Sequence, residues 1–231
     1  MIADALHAEV ERYAARMTTD NAVFVAAARG VFTPELAAQY IFNVRHLIRH
    51  SPDHLTRARN RASQLGDQHL AHHYACKLAE EQGHDRWADE DLDRMRARFL
   101  IADGLKVVPA LLGLLRFIET TIDRDPKLYL AYILFAEQLV ALRGSEWLAL
   151  IESRCGIPSD MMSVIGKHAE LDQGHAAEGL EAIDQLVTDP ALLGPMRRTI
   201  VTSITLFDRF CSEIVGNRLE EPARWPVSSI G

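Results

Sequence analysis

Apolar residues recur at intervals of three and four along almost the whole chain, which is the spacing of amphipathic α-helices. No stretch has the convincing apolar/polar alternation of a half-buried strand. We therefore predict an all-α protein. The predicted helices cover residues 2–17, 19–29, 34–51, 53–66, 67–99, 109–123, 126–154, 159–187 and 190–218.

Prolines and glycines mark the breaks between these helices. Thr33 and Pro34 form a typical helix start, with Thr33 as the N-cap and proline at the first helical position. Pro52 is interpreted as the break between two helices, and Gly83 as a kink within a longer one.

The chain of 231 residues is long enough to bury a sizeable core, and it contains no linker, low-complexity run or internal repeat. We expect residues 1–219 to form one domain of seven or more helices, followed by an irregular tail over residues 220–231. The net charge of −7 argues against a nucleic-acid-binding surface, which needs a basic stripe. No window approaches the roughly eighteen consecutive apolar residues of a membrane span.

The three cysteines, Cys76, Cys155 and Cys211, are odd in number and far apart, and none belongs to a CxxC pair. This usage suggests neither a disulfide framework nor a zinc ribbon. The N-terminus begins with a helical pattern and lacks the features of a signal peptide. We therefore expect a cytoplasmic protein that binds neither nucleic acid nor a membrane.

The strongest chemical signal is an HxxxDxxH pattern formed by His168, Asp172 and His175. On an α-helix, positions i, i+4 and i+7 lie within about 60° of one another around the axis. Two imidazoles and a carboxylate thus project the same way, and two metal ions could each take ligands from this helix. A solvated polar face is the alternative, but Leu171 and Leu180 beside the pattern favour an inward-facing one.

A second candidate is Glu80-Glu81-Gln82-Gly83-His84. Glu81 and His84 are three residues apart, and Glu80 and His84 are four apart, so either acid can share a helix face with the histidine. Such pairs recur as metal ligands in helical bundles. An exposed acidic pair is the alternative.

The third candidate is Glu137, the only charged residue in the apolar run from Leu128 to Leu142. An unpaired carboxylate in such surroundings would cost several kcal/mol or stay protonated. A metal cation is the simplest compensation, and a buried arginine or tyrosine partner is the alternative. With the first two candidates, Glu137 completes a set of three carboxylates and three imidazoles without a thiolate, which suits iron or manganese better than structural zinc.

These residues resemble the motif of the haem-oxygenase-like di-iron oxidases and oxygenases, which include fatty-acid decarboxylases, amino-acid-fragmenting desaturases and N-oxygenases. In that family one helix gives an acid and a histidine, a second gives a glutamate some fifty residues later, and a third gives HxxxDxxH about thirty residues on. Here His84 and Glu137 are 53 residues apart, and Glu137 and His168 are 31 apart.

The resemblance implies a haem-oxygenase-like helical bundle, two non-haem irons per chain and O2 as co-substrate. It also implies a small organic-acid or amino-acid-like substrate that loses hydrogen or gains oxygen, and an electron donor. A homodimer is an open alternative to a monomer. The metal ligands it implies are Glu81, His84, Glu137, His168, Asp172 and His175.

The sequence departs from the family pattern at two places. Several members have the first acid seven residues before the histidine, where this chain has Lys77. Glu81 is our replacement and Glu80 its competitor. Some members also use an acid on an earlier helix, where this chain offers His46, Arg49 and His50 but no carboxylate, so His46 or His50 is a candidate for an extra ligand.

Other functions of the same fold remain open. A haem oxygenase needs a proximal histidine near the N-terminus, for which His7 is the candidate. Thiaminase-like relatives use a cysteine on the helix of Glu137, and the nearest here is Cys155 at that helix's end. Relatives that form pyrroloquinoline quinone use O2 without metal, and a non-catalytic helical interaction protein is a further alternative.

Candidates for a substrate-binding cation are Arg45, Arg116 and Arg143. The aromatic candidates for the pocket wall are Tyr40, Phe42, Phe117, Tyr132 and Phe207.

Overall fold

The computed structural model describes residues 1–101 and 103–216. Within these ranges the protein is helical and has no strand, as the sequence predicts. Short 3₁₀ turns at Ser159–Met162 and Pro190–Leu192 precede the last two helices. The helices are α1 (Ile2–Asp20), α2 (Ala22–Ala28), α3 (Pro34–Gln64), α4 (Gln68–Glu81), α5 (Asp85–Arg98), α6 (Pro109–Arg124), α7 (Pro126–Cys155), α8 (Ser163–Leu186) and α9 (Leu193–Val215).

Helix α7 lies at the centre of the bundle. It packs most extensively on α8 and also contacts α1, α2, α3, α6 and α9. Its apolar residues lie on all sides of the helix, a pattern that stabilises a helix only when neighbours surround it. Glu137 and Gln138 are buried in the middle of α7. Glu137, the acidic residue of the apolar run from Leu128 to Leu142, therefore lies inside the protein.

Helices α7 and α8 approach closely at Gly144. A Cβ atom at this glycine would lie 3.0 Å from the Cβ atom of Ala169 on α8, which is closer than side chains normally pack. The small residues allow the two helix backbones to come together. This crossing places Glu137 of α7 near the HxxxDxxH segment of α8.

The predicted break at Pro52 is wrong, because α3 continues through this proline to Gln64. Proline removes one helical hydrogen bond and costs about 3 kcal/mol in a helix interior. His54, Leu55, Ala58 and Ala62 beyond it are buried, and α3 packs against α4, α5 and α6. Tertiary packing therefore outweighs the local cost.

At Gly83 the chain breaks instead of kinking. Helix α4 ends at Glu81 and α5 begins at Asp85, with Gly83 at φ +86°, a conformation that glycine adopts without strain. The turn directs His84 away from the path of α4. At the other end of the chain α9 closes at Val215, and the predicted tail over residues 220–231 lies outside the described residues.

In the described ranges, no helix combines the length and apolar character needed to cross a bilayer.

The N-terminus of α8 is fixed by Asp91, a fully buried residue of α5. Its carboxylate accepts hydrogen bonds from the backbone N–H of Val164 at 2.8 Å and the hydroxyl of Ser163 at 2.7 Å. Arg94 pairs with the same carboxylate. Asp91 thus satisfies a free N–H at the start of the helix that carries HxxxDxxH.

We predict that Asp91→Ala lowers the free energy of unfolding by about 2–4 kcal/mol, because Arg94 and the first turn of α8 lose their buried acceptor. Urea denaturation measures the change. The control is Asp93→Ala on the same helix, which removes an exposed pair with Arg96 and should cost less than about 0.5 kcal/mol. Equal losses in the two variants would contradict this role of Asp91.

Candidate metal centre

The structure brings the six predicted ligand residues together at the junction of α4, α7 and α8. They form two groups of three, and in each group one ligand atom per residue lies within 4.8 Å of the others. We call them the first group (Glu81, His84, His168) and the second group (Glu137, Asp172, His175). HxxxDxxH contributes to both, so one helix face serves two positions.

In the first group, the ring of His168 is already oriented for binding a cation. Its Nδ1 lies 2.7 Å from the carbonyl oxygen of Val164. A carbonyl can only accept a hydrogen bond, so Nδ1 carries the proton and Nε2 keeps its lone pair for a metal. The other imidazole, His84, has Nδ1 at 3.6 Å from Glu81 Oε2, and this buried nitrogen has no hydrogen-bond partner.

Trp87 of α5 covers the outer side of the first group. Its ring stacks on His84 with centroids 4.2 Å apart and meets His168 edge-on at 5.4 Å. The Lys167 ammonium lies 4.8 Å from the Trp87 ring centroid, on the partly exposed side of the bundle. The tryptophan therefore holds both imidazoles in place and is an optical probe of this group.

The second group lies deeper. Glu137 and Asp172 are both buried, and His175 Nδ1 is 3.2 Å from Asp172 Oδ1. Glu137 Oε2 is buried without a hydrogen-bond partner. An unpaired carboxylate oxygen in such a position lacks a compensating cation or donor.

Lys77 of α4 supplies part of this compensation. Its side chain is buried, and Nζ lies 3.1 Å from Glu137 Oε1 and 3.2 Å from Glu80 Oε2. The sequence marks Lys77 only as a departure from the family pattern. Its position three residues before Glu80, one helical turn away, was the available signal for a contact with the cluster.

The structure places the competing ligand candidates, Glu80 and Glu81, and the candidates for an extra ligand, His46 and His50, in different surroundings. Glu81 belongs to the first group, whereas Glu80 is at the surface, with 40% of its side chain exposed and Oε2 at 3.9 Å from His175 Nε2. His46 and His50 stack on each other on α3, with ring centroids 4.6 Å apart. Neither histidine is a member of either group among the described residues.

The interpretation that Leu171 marks an inward face is wrong, because 42% of this residue is exposed. Asp172 is buried nonetheless. The inward face of α8 is therefore centred on the polar ligand residues themselves and on small residues such as Ala169.

Burial controls the protonation of the carboxylates. It raises the pKa of Asp172 to about 8, and the nearby Glu137 and Glu81 add to the effect. Burial likewise raises the pKa of Glu137 to about 7, although Lys77 opposes the shift. The pKa of Glu81 is raised by burial but lowered more by the combined influence of His84, His168 and Lys77, so that it lies below its ordinary value.

These observations fit a divalent metal at each group. Three carboxylates share a buried space with Lys77, and the unpartnered Glu137 Oε2 and His84 Nδ1 are atoms that a cation would satisfy. Oxygen and imidazole donors without a thiolate match the preferences of iron and manganese. Ligand set and metal identity stay predictions.

An apolar cavity of about 190 Å³ borders the cluster, and we call it the inner cavity. It is smaller than the roughly 300–1,000 Å³ of drug-sized ligand sites, so it suits a small molecule. Its apolar wall includes Val44, Leu47, Ile48, Leu55, Ile133 and Val140. Its polar edge consists of Lys77, Glu81, Glu137, His168 and Asp172.

None of the three candidate arginines lines the inner cavity. Arg45 pairs with Asp89, Arg116 is exposed, and Arg143 donates to the carbonyl of Ala14. Lys77 is the only lysine or arginine among the described lining residues. Of the candidate aromatics, Tyr40, Tyr132 and Phe207 line the cavity, whereas Phe42 and Phe117 do not.

No protein-family model matches the chain, and no curated protein matches its sequence. Solved structures do match. A domain of unknown function with a haem-oxygenase-like fold from Shewanella denitrificans aligns with a TM-score of 0.75 at 19% identity, over 90% of both chains.

Two further structures align over most of their length. A CADD-like protein of unknown function from Nostoc punctiforme has a TM-score of 0.67 at 16% identity and covers 93% of this chain and 97% of its own. A TenA homologue from Pseudomonas syringae pv. tomato has a TM-score of 0.65 at 17% identity and covers 93% of both. Such likenesses establish architecture alone, and on them the chain is a protein of the haem-oxygenase-like fold.

Proposed function

We propose that this protein is a non-haem di-iron oxidase or oxygenase that uses O2 to oxidise a small organic acid or amino-acid-like molecule with an apolar body. The observation that carries the proposal is that each of the two groups of three ligand residues has two members on one edge of the inner cavity: Glu81 and His168 from the first group, and Glu137 and Asp172 from the second. A metal held there would face a substrate directly.

Iron would supply the redox chemistry and the O2 binding, which the side chains cannot provide. The protein's own residues would hold the metal, and neighbouring residues orient the ligand side chains. The hydrogen bond from His168 to Val164 fixes its ring, Trp87 fixes His84, and Asp91 fixes the start of α8. Such supporting contacts keep ligands in one geometry.

The walls of the inner cavity determine the substrate class. Away from the cluster the lining is almost entirely aliphatic and aromatic, and its few polar groups are Ser51 and tyrosine hydroxyls such as those of Tyr129 and Tyr132. A substrate with one polar end would therefore place that end at the cluster and its apolar body along the wall. The wall also excludes water from the reacting atoms.

Other functions of the fold have less support. Cys76, Cys155 and Cys211 are not among the residues that line the inner cavity, so cysteine chemistry of the thiaminase kind lacks a nucleophile there. His7, the candidate for haem ligation, pairs with Glu11 at 3.3 Å on α1 and does not line the cavity either. A purely structural polar network would not need the adjoining cavity.

We expect His84→Ala and His175→Ala each to lower bound iron from about two to about one per chain, because each removes a nitrogen ligand from a different group. Elemental analysis after anaerobic reconstitution with Fe(II) measures the ratio. His50→Ala is the control and should retain the wild-type iron content, since His50 lies outside both groups. Unchanged iron in both ligand variants would refute the assignment.

We expect the stability that Glu137 and Asp172 contribute to the metal-free protein to be lost as the pH rises from about 4 to about 8. Burial raises the pKa of Glu137 to about 7 and that of Asp172 to about 8 in the folded protein. At pH values between the ordinary carboxyl pKa and these raised values, the folded protein binds more protons at the two residues than the unfolded chain does, so a rise in pH favours unfolding. Urea denaturation at several pH values measures the slope. Asp172→Asn removes one of these contributions, so the stability of the variant relative to the wild type should rise over this pH range, and a constant difference would contradict the burial argument.

We expect Ala136→Phe to retain iron but to lower turnover of the preferred substrate at least tenfold, because the added ring fills part of the inner cavity. O2 consumption across a panel of fatty acids and amino acids measures the effect, with the longer apolar substrates affected most. Ala149→Phe on the exposed side of α7 is the matched control. A parallel loss in both variants would show that the cavity is not the substrate site.

A further inference from the structure

We propose that the Lys77 ammonium makes the two metal positions unequal, so that the first group fills with metal before the second. The second group would fill only when Lys77 leaves Glu137 and turns outward to Glu80. This inference rests on the proposed metal centre and adds an order of loading controlled by one residue.

Lys77 lies where it can act in this way. Only 4% of the residue is exposed, and its ammonium contacts Glu137, a member of the second group. The structure shows no salt bridge between Lys77 and the acid of the first group, Glu81. The lysine therefore competes directly with a metal ion for one carboxylate of the second group, whereas it acts on Glu81 of the first group only at longer range.

Charge balance favours one metal while Lys77 stays in place. Glu81, Glu137 and Asp172 carry three negative charges when ionised, and one divalent ion together with Lys77 carries three positive ones. A second divalent ion would add two uncompensated positive charges to a buried space, where like charges repel strongly. Glu80 is at the surface, where water screens its charge, and it lies outside this balance.

An outward position for the ammonium already exists. Lys77 borders both the inner cavity and a polar recess on the other side, which His73, Glu80, Glu178 and Glu181 also line, and we call it the outer recess. Lys77 already contacts Glu80 at 3.2 Å. The flexible four-carbon stem of a lysine allows the ammonium to move from Glu137 to the acidic recess without any backbone change.

The test is a titration of the metal-free full-length chain with Co²⁺, with two readouts that need no turnover. Equilibrium dialysis with elemental analysis gives the two dissociation constants. Quenching of Trp87 fluorescence reports the first group, since this ring stacks on His84. The signal of Trp87 is isolated by subtraction of the Trp87→Phe variant, because the chain has three tryptophans.

For the wild type we expect the first equivalent of Co²⁺ to quench Trp87 and the second to bind at least tenfold more weakly. Lys77→Met should reduce the ratio of the second to the first dissociation constant to about threefold or less, because it removes the competing charge and keeps an unbranched side chain. Lys77→Arg should keep the ratio wide. The matched control is Lys127→Met. Lys127 lies on the helix of Glu137 and pairs with Asp67 outside the cluster, so this variant should leave the ratio of the two dissociation constants unchanged.

The role of Glu80 has its own test. Glu80→Gln should weaken the second site further, at least threefold, because Lys77 loses its outer partner. The same substitution in the Lys77→Met background should have no effect if Glu80 acts through the lysine. Equal weakening in both backgrounds would make Glu80 a ligand and overturn this part of the inference. If Lys77→Met does not fold, Glu80→Gln in the wild-type background still tests the inference, because an unchanged second site would overturn the role of Glu80 as the outer partner of Lys77.

The outcomes separate the two proposals. Two equivalent sites in the wild type, or a ratio that Lys77→Met leaves unchanged, would overturn the role of Lys77 while the metal centre stands. A chain that binds no Co²⁺ at all would refute the proposed metal centre, and the loading order with it.

Discussion

Two carboxylates buried side by side between α7 and α8 constrain the centre of this protein. Glu137 and Asp172 lie in surroundings that favour their neutral forms, and the raised pKa values of both express the free-energy cost of ionising them there. The close approach of the two helices at Gly144 imposes this proximity. A bundle that needed only stability would place apolar side chains at these positions, which is often neutral or stabilising relative to buried charge.

The compensation present in the chain is incomplete. Lys77 pairs with one oxygen of Glu137, whereas the other oxygen and His84 Nδ1 are buried without hydrogen-bond partners. His168, whose Nδ1 bonds to a backbone carbonyl, keeps Nε2 as a donor atom for a cation. Glu137 and His168 also line one edge of the apolar inner cavity. The residues whose buried charge is incompletely compensated are thus the ones that border a space for a small molecule. This combination is the physical basis of the proposed oxidase or oxygenase function.

Much of this arrangement is predictable from the sequence, because helical periodicity and unusual residues in apolar runs are local signals. Glu137 is conspicuous in its run, and HxxxDxxH places three ligand candidates on one face. Periodicity could not reveal that His168 serves one group and His175 the other, because that division depends on how α4 and α7 pack around α8. It also could not predict the continuity of α3 through Pro52, where tertiary contacts outweigh a local preference.

Lys77 illustrates the remaining limit. A lysine one turn before two glutamates looks like part of an exposed charged stripe, and its burial depends on neighbouring helices. The candidate arginines show the reverse, since their helices turn them away from the inner cavity towards surface partners such as Asp89. Whether such a charged residue on an amphipathic helix is buried or exposed depends on how the neighbouring helices pack against it.

The most direct measurement of the central claim is an anomalous difference map, recorded at the iron edge, from crystals of the protein loaded anaerobically with Fe(II). We predict one peak within the first group and a second within the second group, each bounded by its three ligand residues. A map with no iron among Glu81, His84, Glu137, His168, Asp172 and His175, or with iron bound only elsewhere, would contradict the account.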